Sequence, residues 1–199
     1  MALSKIQAES MNLADTYAFT GTVSGAGETN DMKLVETTTV TSSNVASVDF
    51  ENLSTDYNHF IIKIGDFKPT GNGGQILIRL KTTGSSGYAS ANGDYDCTRS
   101  RVYRSGSSYT VNQGGFTANY GVAGMGQNSD GNGYVEATSA LVAHFYNVHS
   151  TDRRKAYTST FWGGTDSQNT SHMISGVTFI GSGSKNALTG IRVLSSSGS

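Results

Sequence analysis

The sequence predicts an all-β chain, a two-sheet antiparallel sandwich behind an extended N-terminal arm, and three observations carry that prediction. Hydrophobic residues make up 36% and charged residues only 15% of the 199, with 25 glycines and one proline, a composition unlike that of a helical bundle or a charged disordered chain. Val, Ile, Thr, Tyr and Phe recur at alternating positions, while the helix formers Glu, Lys and Leu are scarce. Eight to ten such runs follow one another between Gly, Ser and Asn turns, the spacing of a sandwich of one domain.

Residues 1–31 stand apart as an arm. Leu3, Ile6, Met11 and Leu13 fall on one side of a short helical pattern, and Tyr17 and Phe19 open an extended, glycine-rich stretch, YAFTGTVSGAG. Such a segment cannot bury its own apolar groups. It is either a flexible tail or an attachment segment that orders against another chain.

The sandwich is expected over residues 32–199. Residues 33–41 (KLVETTTVT) and 45–50 (VASVDF) are β-branched and flank SSN, which predicts a first hairpin. Residues 57–80 hold two dense strands, HFIIKIGDF and QILIRL, around KPTGNGG. Pro69 fixes φ there, and Gly71, Gly73 and Gly74 permit positive φ, so a hairpin at the centre of a sheet is predicted. Residues 81–133 are polar and dotted with tyrosines, with strand-like pieces at 95–103 and 119–125. Two readings fit this region: an adaptable recognition surface, or a loop-rich sandwich edge with half-buried tyrosines. Strands are predicted at 135–148 and 156–162 across the charged turn STDRRK, then at 171–180 and 190–194.

The formal net charge of −1 supplies no field to gather nucleic acid or an anionic membrane, so neither is an expected partner. Cys97 is the sole cysteine, forms no internal disulfide, and reads as a small buried hydrophobe. The opening residues lack the apolar core of a signal peptide, and no run approaches the ~20 apolar residues that span a bilayer. Synthesis in a cytoplasm without membrane insertion is expected.

Chemical motifs are weak. Asn128, Asp130, Asn132 and Gly133 occupy calcium-loop positions, but Ser139 stands where a bidentate Glu belongs, so a β-turn explains 128–136 better. His59, His144, His149 and His172 show no zinc spacing, and GSGSKN lacks the P-loop pattern. No nucleophile elbow and no paired carboxylates in an apolar setting occur. No metal, no cofactor and no catalytic residue is expected.

The opening MALSKIQAESMNLADTYAFTGTVSGAG, the run YNHFIIKIGDFKPTGNGGQILIRLKTTG and the late TGIRVLSSSG together resemble tail-fibre and other virion structural proteins of bacteriophages, especially those of aquatic and cyanobacterial hosts. Members of that group are similar in an ALSKIQ…NLAD…FTGTVSGAG start, and in an aromatic-apolar strand that STDYNHF matches here. They commonly continue into a further Gly-x-x-x-Leu-Tyr-Gly-like strand. Either the sequence stops short of that strand, or the sandwich lacks it and leaves an edge for a neighbouring chain to cover.

The resemblance implies a non-enzymatic virion component with a jelly-roll-like head, a homotrimer attached to other virion proteins through its N-terminal arm. It also implies receptor binding to a host-surface glycan or protein through Tyr88, Tyr95, Tyr103, Tyr109 and Trp162, whose aromatic faces suit sugar CH surfaces. Two other roles fit the same fold. One is a capsid decoration or neck protein. The other is a depolymerase using Asp94, Asp96, Asp130 or Glu136.

Overall fold

Burial alternates along the strands with the period of two that the sequence carries. In β3 (Gln75–Thr82) Ile76, Ile78 and Leu80 are fully buried, and in β7 (Ala140–Tyr146) Leu141, Ala143 and Phe145 are. The computed structural model describes residues 32–41, 45–67, 75–105, 108–125, 140–164 and 170–196. The chain divides into two units, Met1–Thr37 and Thr38–Ser199. Of the first, residues 32–37 are described; they are exposed and form no strand. The attachment residues named above lie outside the described residues.

The other strands are β1 (Ser47–Glu51), β2 (His59–Ile64), β4 (Tyr95–Ser105), β5 (Ser108–Ala118), β6 (Gly121–Met125), β8 (Ala156–Gly164), β9 (Thr170–Phe179) and β10 (Leu188–Ser195). They form a four-stranded sheet, β1-β10-β3-β6, and a six-stranded sheet, β2-β7-β8-β9-β4-β5, with every pair antiparallel. No helix occurs among the described residues.

The connectivity is that of a jelly roll. Such a fold arises when a ladder pairing the outer strands of the chain with each other, and the inner ones likewise, is wound so that alternate rungs fall in opposite sheets. The rungs here are β1–β10, β2–β7, β3–β6 and β4–β5. The first and third lie in the smaller sheet, the second and fourth in the larger. The β8–β9 hairpin is inserted between β7 and β4, which widens one layer to six strands. Winding also sets Ser47, where β1 begins, opposite Leu194 near the end of β10.

Two expectations fail on layer assignment. The two strands of 57–80 are not a hairpin: β2 is an outer strand of the six-stranded sheet and β3 is central in the other. Glycine and proline between apolar runs signal that the chain reverses, but a crossing between layers uses the same residues as a turn within one. Nor do 33–41 and 45–50 pair, since residues 32–41 form no strand and β1 pairs with β10. The Arg192 guanidinium donates to both Asp49 carboxylate oxygens, at 2.7 and 2.6 Å, across that register, a bidentate match absent from the local alternative. The predicted β7–β8 hairpin does form, as do β4, β6, β9 and β10. β5 has no counterpart in the sequence reading, because NQGG at its middle mimics a loop.

The core is sealed where β6 meets β8. A side-chain carbon at Gly124 would lie 2.6 Å from the Phe161 ring, and one at Gly121 would overlap the Tyr157 hydroxyl and sit 2.8 Å from Val177. Glycine at these two positions lets large rings from the facing sheet reach the β6 backbone. Cys97 is buried as expected, and burial raises its thiol pKa. Lys155 is buried with its ammonium donating to the backbone carbonyls of Ser150 and Arg153, which closes the loop between β7 and β8.

Candidate binding face on the six-stranded sheet

Alternate side chains of the six-stranded sheet point away from the core, and the strand registers align them into rows. One row runs Ala140, Trp162, His172, Val102, Val111; the next runs Lys63, Val142, Thr160, Ile174, Ser100, Gln113. A third runs Ile61, His144, Thr158, Gly176, Thr98, Gly115, and a fourth His59, Tyr146, Ala156, Thr178, Asp96, Thr117. Lys63 and Asp96 are the charged members of these rows; Thr, Ser, Gln, Gly and aromatic residues predominate. The face therefore offers hydroxyls, an amide and flat apolar surface with little charge.

Trp162 is the largest exposed group here. Its indole stacks on the His172 imidazole with centroids 5.4 Å apart at 21°, yet 49% of the residue remains in solvent. Ile174, on the strand next to it, is also exposed. Beside Ile174 the surface sinks into an open depression of about 370 Å³, lined by Thr98, Arg99, Ser100, Gln113, Gly114 and Gly176 as well. Gly176, a member of the third row, puts no side chain into the hollow. A side-chain carbon at Gly176 would come within 3.1 Å of the Thr98 hydroxyl, which donates to the Gly176 carbonyl at 3.2 Å. A shallow floor of small polar groups on the same face as an exposed indole is suited to sugar CH groups and hydroxyls.

At the opposite side of the sheet His59, His144 and Tyr146 stack. His59 Nε2 lies 3.3 Å from His144 Nδ1, and the His59 ring lies 4.9 Å from that of Tyr146. Desolvation, then the charge His144 would carry, hold the His59 pKa below its ordinary value of 6.5. No group of three or more His, Cys, Asp or Glu able to hold a metal occurs among the described residues, and 128–136 lies outside them.

The five aromatics expected to meet a receptor are not brought together. Tyr95 is buried: its hydroxyl accepts from Leu80 N–H at 2.7 Å and donates to the Ala89 carbonyl at 3.3 Å, so it is a structural group and cannot touch a receptor. Tyr88 is pinned on the outer face of the smaller sheet. Arg192 lies 4.2 Å over its ring, and its hydroxyl is 3.3 Å from Glu51, which pairs with Lys81 at 3.0 Å. Burial and nearby carboxylates raise its pKa. Tyr103 lies in β4, paired with Thr110 and Ser171 by register, and its side chain is outside the described residues. Tyr109 is 73% exposed on β5.

The acidic candidates are equally scattered. Asp94 accepts from Ala91 N–H at 2.7 Å, and its own carbonyl accepts from Ile180 and Gly181, so it anchors a turn. Asp96 is exposed in the fourth row, while Asp130 and Glu136 lie outside the described residues. His172, Ile174, Ser100 and Gln113 were missed. Alternation could have placed them on an outer face, but only the sheet order brings them beside Trp162. No family model, curated protein or solved structure matches this chain.

Proposed function

We propose that this protein is a non-enzymatic structural component of a bacteriophage particle, a tail fibre that docks on other virion proteins through residues 1–31, assembles from several copies and recognises an uncharged host-surface glycan. The arm and strand motifs support the virion reading by resemblance. A jelly roll is compatible with it, being a fold of viral capsid and lectin domains alike, though a fold does not fix a function. The observation that carries the glycan reading is half-exposed Trp162 on the same sheet face as the Thr98, Ser100 and Gln113 depression. In this reading the ligand meets the sheet face rather than the loops expected from sequence.

Purified protein should bind host cells and slow phage adsorption, and Trp162→Ala should weaken that competition at least tenfold while leaving the fold intact. Wild-type protein that neither binds cells nor competes overturns the receptor role. Gold label on this chain spread over the phage head instead of the tail makes it a decoration protein. Release of reducing ends from host polysaccharide makes it a depolymerase.

A further inference from the structure

An outermost strand presents a row of unpaired N–H and C=O groups that invites another chain unless charge, proline, a bulge or a covering element blocks it. The sandwich has four such strands, and three are blocked. β1 carries Asp49 and Glu51, β2 carries Lys63, and Gly121, Val122, Ala123 and Gly124 of β6 are buried. β5, SYTVNQGGFTA, has no charge and no proline, runs in unbroken register with β4 over all 11 residues, and among the described residues has no further strand beside it. Val111 is 62% exposed at its middle.

The same chain holds a segment with the opposite need. Residues 32–41, MKLVETTTVT, are rich in Val and Thr, yet they form no strand and every one is exposed, Leu34 to 79%. Ten residues against eleven is a close match in length. Lys33 and Glu36 meet no charge on β5. In an antiparallel pairing, the register that sets Val40 opposite Val111 also sets Val35 opposite Phe116, so both faces of the new strand pair apolar with apolar.

We propose that residues 32–41 of one copy add to the free edge of β5 in a second copy, as a seventh strand of the six-stranded sheet. Main-chain hydrogen bonds supply the affinity, about ten over this length. Donor and acceptor surfaces differ, so the contact is head-to-tail and either closes into a ring, with three copies at a 120° rotation, or continues as a filament. The inference concerns how copies join and does not rest on the glycan reading.

The test uses full-length Val40→Cys and Val111→Cys variants, mixed under mild oxidation and resolved on a non-reducing gel. Both substituted positions are exposed and buried Cys97 does not compete, so the fold is retained. The mixture should give a covalent dimer much faster than either variant alone, and wild-type protein should sediment as an oligomer that Val111→Lys weakens at least tenfold. A monomeric wild type overturns the proposal. So does Val111→Cys cross-linking to itself as fast as in the mixture, which would mean that β5 pairs with β5, and so does a double variant that joins Val40 and Val111 only within one chain. Loss of host-cell binding with these contacts intact would count against the glycan reading alone.

Discussion

Two buried tyrosines respond differently to the loss of one oxygen atom. The Tyr95 hydroxyl bridges Leu80 N–H and the Ala89 carbonyl, whereas the Tyr157 hydroxyl is buried with no hydrogen-bond partner among the described residues. Tyr95→Phe should therefore cost about 1–3 kcal/mol by orphaning a buried group, while Tyr157→Phe should be neutral or stabilising by up to about 1 kcal/mol. Chemical denaturation of the two variants checks the pair, and equal losses would remove the distinction. His59 gives a pH signature. Its folded pKa is lowered, so below its ordinary value of 6.5 the unfolded chain takes up the proton more readily, and stability falls as pH drops through that range. His59→Gln should flatten the fall in melting temperature between about pH 7 and pH 5, the range over which an ordinary imidazole titrates.

At the scale of elements, β6 has glycine at two of its five positions because rings from β8 and β9's Val177 occupy the space above them. Gly121→Ala should destabilise by about 1–3 kcal/mol, as overpacking does in well-filled cores. Thermal melting would show it, and an unchanged midpoint would mean that the Tyr157 ring moves aside. The same strands show what was legible beforehand. β7 and β8 were readable because alternating apolar residues and a charged turn place both in one layer, and a local pairing needs no knowledge of the rest. β3 was readable as a strand from Ile76, Ile78 and Leu80, but its neighbours β10 and β6 lie far off in sequence. β5 was hidden, since Gly114 and Gly115 weaken its pattern while β4 holds it through eleven registered positions. The binding face was hidden for the same reason: Trp162 stood out alone, and its partners come from three other strands.

For the whole molecule, three of the four rungs of the ladder join strands distant in sequence, and β1 pairs with β10 across the entire sandwich. Loops of that length must close before their contacts contribute, so folding on the millisecond-to-second scale is expected, slower than for a helical domain of this size. The inserted β8–β9 hairpin adds a local pairing to this non-local set and contributes Tyr157, Phe161, Met173 and Val177 to the core. It also makes the larger sheet broad enough to carry the face on which Trp162 and His172 stack.

Because Ser47 faces Leu194 on antiparallel neighbours, the chain enters and leaves the sandwich side by side at one end of the smaller sheet. A pull applied between those two points would load the hydrogen bonds of β1 and β10 one after another, like a zip, instead of shearing them all together. A domain held by one side of this doorway and tugged from the other would give way at low force, beginning with the Ser47 and Leu194 rung. Tension carried from Ser47 to the broad face of the larger sheet would bypass that weak line, which makes the direction of loading as decisive for this domain as the strength of its core.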